Sequence, residues 1–377
     1  MRILLVGNYE PDQQQSMTRY SQWLLGALKA RGCTVLLMRP VPLFSRLAFG
    51  PLRTAAVIKY LGYLDKYLVF PRQLKTAAKQ FDLVHICDHS NSMYLRAVSR
   101  AGVPAVITCH DVLAIRAARG EFAAVRTGWS GKLLQAWILR GLTRARNVIC
   151  VSEKTRADLT RRTGETGARI KVILNPLNWK YKPQPEIPEA LHARIGLAAG
   201  ERYFLHVGGN QWYKNRSAVV GIFRELSIMP EYAMAKLVMV GKPLPGELKA
   251  RIEGSELADQ VISVVGSSNE ELEGLYSHAL ALIFPSLEEG FGWPIAEAQA
   301  CGCPVATTGQ APMTEVAGEA AIFFDPEDAA GAAKAIRDGL VDREALREAG
   351  LRDVGRFDEG KIVEEYRGFY AAVLAER

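Results

Sequence analysis

Short apolar runs alternate with helical stretches along most of the chain, and this alternation limits the fold more than any other feature of the sequence. Residues 1–7 form the first run, which is apolar at nearly every position in the manner of a buried parallel strand. Similar runs follow in the first half of the chain at residues 33–38, 83–87, 105–109 and 147–151. Strands that alternate with helices form a parallel sheet covered on both faces, so an α/β, doubly wound domain is predicted.

The alternation stops between residues 175 and 188 and then begins again. This stretch contains four prolines, Pro176, Pro183, Pro185 and Pro188. The second series of runs covers residues 203–207, 236–240, 260–265, 279–284, 304–307 and 320–324. A chain of 377 residues suits two domains. We therefore predict two Rossmann-like, doubly wound parallel-sheet domains, residues 1–180 and 181–357, that face a central cleft.

Charge is divided unevenly between the two predicted domains. Residues 1–180 carry 28 Lys and Arg against 10 Asp and Glu, whereas the remainder carries 19 against 30. The first domain is therefore expected to attract an anionic partner, which is a membrane surface, a phosphorylated substrate or nucleic acid, and the alternative is that its basic residues only solvate helix faces. Within it, segment 41–80 interleaves basic residues with leucine, phenylalanine and tyrosine. That mixture fits an interfacial helix on an anionic membrane, and it also fits an amphipathic helix packed on a core.

Cysteine usage and hydropathy indicate the compartment. Of the six cysteines, Cys33, Cys87, Cys109 and Cys150 lie in apolar runs, which suits a reduced interior. The sequence shows neither a secretory signal nor an apolar run of 18 residues. We expect a cytoplasmic protein, peripheral at the inner membrane face if segment 41–80 contacts lipid.

The stretch 284–298 holds the strongest signal for chemistry. A predicted strand ends at Phe284, a loop with Gly290 and Gly292 follows, and Pro294 suits the first position of a helix. Backbone amides gathered at a helix N-terminus bind anions, and glycines let a ligand approach the backbone. The loop is therefore predicted to hold a phosphate group.

Three charged side chains and one histidine accompany this loop. Glu297, expected in the first turn of the helix, can accept hydrogen bonds from ribose hydroxyls, and Glu289 can hold sugar hydroxyls. Lys214 follows the strand at 203–207 and can neutralise a diphosphate there. The alternatives are that Glu297 complements the helix dipole and that Glu289 and Lys214 are merely solvated. His110 directly follows the predicted strand at 105–109. Both a functional and a structural role are open for it.

These residues together resemble the retaining glycosyltransferase family four, which has the two-domain GT-B architecture. The E-x7-E motif of that family matches Glu289 to Glu297 in the form Glu-Gly-Phe-Gly-x-Pro-x-x-Glu-Ala. Its strand, Val-Gly, loop and Lys-Asn pattern matches residues 207–215. Its His-Asp pair after a strand matches His110 and Asp111. The likeness extends over nearly the whole chain.

The resemblance implies a role for each of these residues. Lys214 would neutralise the donor diphosphate, Glu297 would bind the ribose, and His110 would contact the transferred sugar from across the cleft. The resemblance implies catalytic roles for His110, Lys214 and Glu289. It implies substrate binding by Gly290, Phe291, Gly292 and Glu297, and we predict that Ser16, Gly209, Asn210 and Arg216 bind substrate as well. It also implies that residues 358–377 form a helix that packs back on the first domain, and that no cofactor or metal ion is needed.

The chain departs from the family pattern in two loops. Many members carry Gly-Gly after the first strand, where this chain has Gln13, Gln14, Gln15 and Ser16. Ser16 is also predicted to cap a helix that continues to Leu28. Many members carry an arginine after Val-Gly or before the lysine. Gly209 and Tyr213 stand there, so Arg216 is the candidate for the second positive charge.

The hypothesis is therefore transfer of a hexose from a nucleoside diphosphate sugar, GDP- or UDP-linked, to a hydroxyl of a glycan or lipid-linked precursor, with retention of anomeric configuration. A nucleotide-sugar epimerase of the same two-domain architecture is the alternative, and it would need no acceptor. A non-catalytic nucleic-acid binder would explain the basic half of the chain. It would leave Glu289 and Glu297 unexplained, and no DNA- or RNA-binding motif appears.

Overall fold

The computed structural model describes residues 1–47, 54–164, 167–187, 189–198 and 200–376. Phe49, Leu52 and Arg53 of segment 41–80, and Pro188 of the predicted linker, lie outside the described residues. The chain forms two compact units. The first comprises Met1–Asn178 and Glu359–Arg377, and the second comprises Trp179–Asp358.

The first unit is built on a parallel sheet of six strands in the described part of the chain. They are β1 (Arg2–Val6), β2 (Thr34–Met38), β3 (Leu83–Ile86), β4 (Ala105–Cys109), β5 (Asn147–Cys150) and β6 (Arg169–Val172). The order across the sheet is β2-β1-β3-β4-β5-β6. Its helices are α1 (Gln15–Ala30), α2 (Ala55–Leu64), α3 (Phe70–Ala78), α4 (Leu95–Ser99), α5 (Leu113–Ala118), α6 (Trp129–Leu142) and α7 (Glu153–Thr163).

The second unit has the same architecture with a different strand order. Its strands are β7 (Tyr203–Gly208), β8 (Lys236–Gly241), β9 (Val261–Val265), β10 (Leu282–Phe284), β11 (Val305–Thr308) and β12 (Ile322–Phe324). They pair in parallel in the order β12-β11-β10-β7-β8-β9. Its helices are α8 (Glu189–Ile195), α9 (Arg216–Ser227), α10 (Gly246–Glu253), α11 (Asn269–His278), α12 (Trp293–Ala300), α13 (Met313–Ala317), α14 (Ala329–Gly339) and α15 (Arg343–Asp353).

The predicted strands are confirmed, and β6 is the one that the sequence analysis missed. In β6 the apolar Ile170 and Val172 pack on one core of the first unit. The alternate Arg169 and Lys171 pair with Glu376 and Glu365 of the C-terminal segment. This half-buried edge strand alternates apolar and polar residues with a period of two, whereas a strand buried on both faces is a continuous apolar run.

The last helix, α16 (Glu359–Ala375), belongs to the first unit although it follows the second unit in sequence. Its apolar residues recur at helical spacing and pack with α1 and the sheet. They are Ile362, Val363, Tyr366, Phe369, Tyr370 and Val373. The pattern explains why this helix is buried along one side.

Serine side chains lie at the starts of two helices of the first unit. Ser152 caps α7, since its hydroxyl accepts a hydrogen bond from the amide of Thr155. The prediction for Ser16 is wrong, because α1 begins at Gln15 and Ser16 lies exposed in its first turn. Ahead of it Gln13 adopts a left-handed backbone with φ of 52°. A side chain there costs energy that glycine avoids, and glycine is what many family members carry in this loop.

The described part of segment 41–80 is packed on the core in one helix and exposed in another, and a contact of the segment with a membrane stays a prediction. Helix α3 is an ordinary packed helix, since Phe70, Leu74 and Ala78 are buried. By contrast Tyr60 and Leu64 of α2 are exposed. No helix among the described residues has the length and apolar character needed to cross a membrane.

Candidate active site

The loops that follow β7 and β10 lie side by side at the carboxyl edge of the second sheet. The chain runs outward from β7 to β9 and then returns to β10, which pairs with β7. Ligands of open α/β sheets bind at such a reversal of strand order. The amide of Leu287 donates a hydrogen bond of 2.8 Å to the carbonyl oxygen of Tyr213, which joins the two loops. Residues 209–215 and 285–292 are therefore neighbours.

Lys214 and Glu289 meet at this edge. The ammonium Nζ of Lys214 lies 2.6 Å from Oε1 of Glu289, and the two side chains are 14% and 10% exposed. Nζ also lies 5.0 Å from the centre of the Phe284 ring. Both alternatives that treated these residues as solvated are therefore wrong. The pair lies at the edge where open α/β sheets bind ligands, which makes it a candidate functional site.

The loop 285–292 delivers the chain to the start of α12. Gly292 is the N-cap residue and has a φ of 104°, a conformation that side chains strain. Pro294 is the second residue of the helix, close to its predicted first position. The hydroxyl of Thr308 donates to the carbonyl oxygen of Ser286 at 3.1 Å, which holds the loop on the neighbouring strand. Gly290 and Gly292 therefore lie in a loop that is held in place and leads to the N-terminus of α12.

Glu297 is buried in the second turn of α12. The prediction of the first turn is wrong, because the helix begins at Trp293. Glu297 is 5% exposed as a residue, and its carboxylate accepts a hydrogen bond of 2.9 Å from the hydroxyl of Tyr276. Burial and the charge of Glu297 raise the pKa of Tyr276 well above its usual value, so the phenol stays protonated and donates. Glu297 is therefore held in one orientation by α11.

The side chain of Phe291 is anchored in the second unit. It is 4% exposed and packs edge-on against Phe357, with ring centres 5.7 Å apart. Any contact of Phe291 with a ligand would come from its backbone. Substrate binding by the backbone of Phe291 stays a prediction.

Asn210 and Arg216 tie the loop after β7 to the loop after β8. Nη1 of Arg216 donates to Oδ1 of Asn210 at 2.6 Å and to the carbonyl of Lys242 at 2.9 Å, while Asn210 donates to the carbonyl of Pro243. Arg216 is 5% exposed, and burial lowers its pKa. Its Nε and Nη2 have no partner among the described residues.

A cavity of about 460 Å³ lies beside this pair. Its lining includes Asn210, Gln211, Trp212, Arg216, Glu247 and Arg251. Gly209 precedes it in the same loop, where a Cβ atom would collide with the side chain of Gln211. The structure places Arg216 against Asn210, and no contact with the Lys214–Glu289 pair is observed among the described residues.

His110 lies in the first unit, buried at the end of β4. Its Nε2 lies 2.9 Å from the carbonyl oxygen of Cys87, so Nε2 carries the proton and donates. Burial lowers the pKa of His110 although the nearby Asp88 opposes this, so the ring is neutral at pH 7. Its Nδ1 lone pair has no partner among the described residues. The rings of His110 and Tyr20 pack in a T-shaped arrangement, with centres 4.6 Å apart.

A polar cluster around Asp88 lies near His110 and was not predicted from the sequence. Asp88 is 3% exposed, accepts from Asn8 at 2.5 Å and from Ser90 at 2.6 Å, and lies 3.2 Å from Nδ1 of His89. Asn8 follows β1 and Asp88 follows β3, the pair of strands at which the order of the first sheet reverses. The same argument that selected His110 would have selected them. Ser16 is not part of this cluster. Gln14, from the same loop, hydrogen-bonds to Asn8 instead.

Comparison with known proteins agrees with this architecture. The family model described as "Glycosyl transferases group 1" matches residues 188–351, and the model described as "Glycosyltransferase Family 4" matches residues 17–179. Sucrose-phosphate synthase from Thermosynechococcus elongatus covers all of this chain over its own full length, with a TM-score of 0.74 and 20% identity. At that identity the likeness shows the fold alone.

Two curated proteins illustrate the sequence relatives. The O-antigen chain mannosyltransferase RfbU of Salmonella typhimurium is 27% identical over 185 residues, 49% of this chain and 48% of that protein. The D-inositol 3-phosphate glycosyltransferase of Acidothermus cellulolyticus is 32% identical over 197 residues, 49% of this chain and 44% of that protein. The matched part is less than half the length of each relative.

The two Rossmann-like units are those of the GT-B glycosyltransferase fold. The two matched models lie one after the other along the chain and together support a glycosyltransferase of the family-four type.

Proposed function

We propose that this protein is a retaining, metal-independent glycosyltransferase that moves a hexose from a nucleoside diphosphate sugar to a hydroxyl of a glycan or lipid-linked glycan precursor. The observation that carries the proposal is the Lys214–Glu289 pair, mostly buried at the reversal of strand order and beside the start of α12. Relatives named as an O-antigen mannosyltransferase and an inositol phosphate glycosyltransferase support the glycan acceptor.

Donor binding would exchange the partner of Lys214. In the structure Glu289 neutralises the ammonium group. A diphosphate bound at the start of α12 would take over that role, because it carries more negative charge and also meets the helix dipole. Glu289 would then be left with free lone pairs that accept hydrogen bonds from the hydroxyls of the sugar. Lys214 would then bind the diphosphate of the donor, and Glu289 would bind its sugar.

The transfer step would break the bond between the anomeric carbon and the diphosphate oxygen. The acceptor oxygen forms the new bond on the same face, and its proton passes to the departing phosphate oxygen. Negative charge grows on the diphosphate as the bond breaks, so Lys214 and the start of α12 bind the transition state more strongly than the ground state. We propose that these positive groups supply the electrostatic stabilisation of the leaving group without a metal ion.

Glu297 and His110 would orient the donor. Glu297, fixed by Tyr276, can accept hydrogen bonds from the two ribose hydroxyls. His110 is neutral and offers the lone pair of Nδ1, which can accept a hydrogen bond from a sugar hydroxyl. The base of the nucleotide stays open between guanine and uracil.

Turnover of a Lys214→Ala variant tests the proposal. We expect kcat to fall about 10²–10³-fold, the range for removing one electrostatic donor from a transition state. Lys249 is an exposed lysine of the same unit, and Lys249→Ala is the matched control that should keep wild-type turnover. A Lys214→Ala enzyme with full turnover would contradict the proposal. A thermal-shift panel of UDP-, GDP- and ADP-sugars selects the donor, because a ligand at 100 times its Kd stabilises by about 2.7 kcal/mol.

An epimerase differs from a transferase in needing no acceptor. Incubation with the selected nucleotide sugar alone should therefore leave the sugar unchanged, and formation of an epimer would favour the alternative. Retention on heparin that DNA competes away would favour the nucleic-acid binder. The relatives described above are glycosyltransferases, which favours the transferase.

A further inference from the structure

Helix α6 of the first unit exposes three large apolar side chains. Trp129 is 77% exposed, Leu133 is 62% exposed and Trp137 is 44% exposed. They are four residues apart in sequence, so they follow one another along one side of the helix. Large apolar side chains that line up on a surface in this way indicate an interaction site.

The opposite side of α6 fixes the helix in this orientation. Ile138 and Leu142 are buried in one core of the first unit. The hydroxyl of Ser92 donates to the carbonyl oxygen of Ile138 at 2.7 Å, and a Cβ atom at Gly141 would collide with the backbone of Ser92. The helix therefore cannot roll to bury its tryptophans without opening that core.

Unpaired positive charge surrounds the exposed side of α6. Lys132 and Arg140 of the helix, Arg144 just after it and Arg119 just after α5 are exposed, and none pairs with an acidic side chain among the described residues. These four cations line a cavity of about 690 Å³ together with Arg162. Arg162 differs from them because Glu121 and Asp158 neutralise it.

The exposed apolar side chains continue from α6 onto the region of α2. The ring of Trp137 lies 5.0 Å from that of Tyr67. Tyr60, Leu64 and Leu68 are also exposed and are four residues apart. The surface is therefore broader than one helix, and α6 contributes its tryptophans.

We propose that the exposed side of α6 docks on an anionic lipid bilayer. Tryptophan favours the membrane interface, because its ring is apolar while its indole N–H finds polar partners there. Lysine and arginine beside it meet lipid phosphates, and α6 itself contains no acidic residue that would oppose them. A helix of 14 residues that is buried along one side lies flat on such a surface and does not cross it. The proposal does not depend on which sugar is transferred.

Flotation with lipid vesicles tests the proposal. The full-length protein is mixed at low salt with vesicles of phosphatidylcholine alone, or of phosphatidylcholine with about one third phosphatidylglycerol. We expect the wild type to float with the anionic vesicles only. The variants Trp129→Ser with Trp137→Ser, and Lys132→Glu with Arg140→Glu, should each bind at least tenfold more weakly.

Matched controls lie in the second unit, where Ile228 and Arg352 are also exposed. Ile228→Ser and Arg352→Glu should float as the wild type does, and all variants should stay folded at the temperature of the assay, which their thermal midpoints measure. Absence of wild-type binding at low salt would overturn the proposal. So would α6 variants that float like the wild type, since the contact would then lie elsewhere, and so would retention on heparin without vesicle binding.

Discussion

The Lys214–Glu289 pair is the most informative contact at the scale of single residues. Burying an ion pair costs desolvation energy that its mutual attraction barely repays, so such a pair is weak evidence for a role in stability. Here the two side chains lie at the edge of the sheet where ligands bind, and only 14% and 10% of them are exposed. The desolvation energy of the pair has a functional explanation if a bound diphosphate displaces Glu289 from Lys214.

A Glu289→Gln variant tests this exchange of partners. Glutamine keeps the shape but removes the charge that competes with the diphosphate for Lys214. We expect the nucleoside diphosphate alone to bind at least as tightly as to the wild type, while kcat/KM for sugar transfer falls about 10²-fold or more, because a carboxylate acceptor for the sugar is lost.

Isothermal titration with the nucleoside diphosphate and steady-state kinetics measure the two effects separately. Glu288→Gln, at the neighbouring position in the same loop, is the comparison variant. Weaker diphosphate binding with unchanged turnover in Glu289→Gln would show that the partner exchange does not occur.

At the scale of elements, the last helix completes the first unit through buried polar contacts as well as apolar packing. The hydroxyl of Tyr366 hydrogen-bonds to that of Tyr20 at 2.8 Å, and Tyr20 also meets Thr108 at 2.9 Å. Tyr20 in turn packs on His110. Helix α16 therefore reaches the surroundings of the candidate site of its own unit.

Tyr370→Phe should destabilise the protein through this network. The hydroxyl of Tyr370 lies 2.5 Å from Nδ1 of His85, which is fully buried between β1 and β4. Removing the hydroxyl leaves a buried ring nitrogen without a partner, which costs about 1–3 kcal/mol. Urea unfolding measures the change. Tyr60→Phe on exposed α2 is the control with little expected effect, and equal stability of both variants would refute the account.

At the scale of the whole molecule, each unit buries a histidine in its neutral form. Burial lowers the pKa of His85 in the first unit and of His206 in the second to about 3. In an unfolded chain the pKa of histidine is about 6.5. Below that pH the unfolded state binds protons that the folded state does not, so acid favours unfolding.

The contribution of these two histidines to the free energy of unfolding should therefore be constant above about pH 6.5. It should decrease as the pH is lowered from 6.5 to 3. Each histidine contributes a slope of about 1.4 kcal/mol per pH unit. Calorimetry between pH 7.5 and 5 measures it. His206→Asn keeps a donor for the carbonyl of Ile283 but cannot titrate, so it should flatten the slope of the second unit. Constant stability down to pH 5 in the wild type would contradict this prediction.

The sequence by itself determined the sheets and the motif that carries the chemistry. Parallel strands buried on both faces need continuous apolar runs, and these runs are local features that can be read directly. The sequence of residues 284–298 likewise predicts, in this order, the end of a strand, a loop with glycines and the start of a helix. Strand β6 was missed because only its position at an edge, with Arg169 and Lys171 paired to the C-terminal segment, makes its alternating pattern a strand.

Only the tertiary structure decided which side chains meet. Lys214 and Glu289 are 75 positions apart, and they touch because the strand order reverses between β7 and β10. Strand order is set by long-range packing, which no local pattern records. The same holds for Asn8 with Asp88, and for Glu297, whose partner Tyr276 comes from another helix. Periodicity shows which residues are buried, and the fold alone shows what they are buried against.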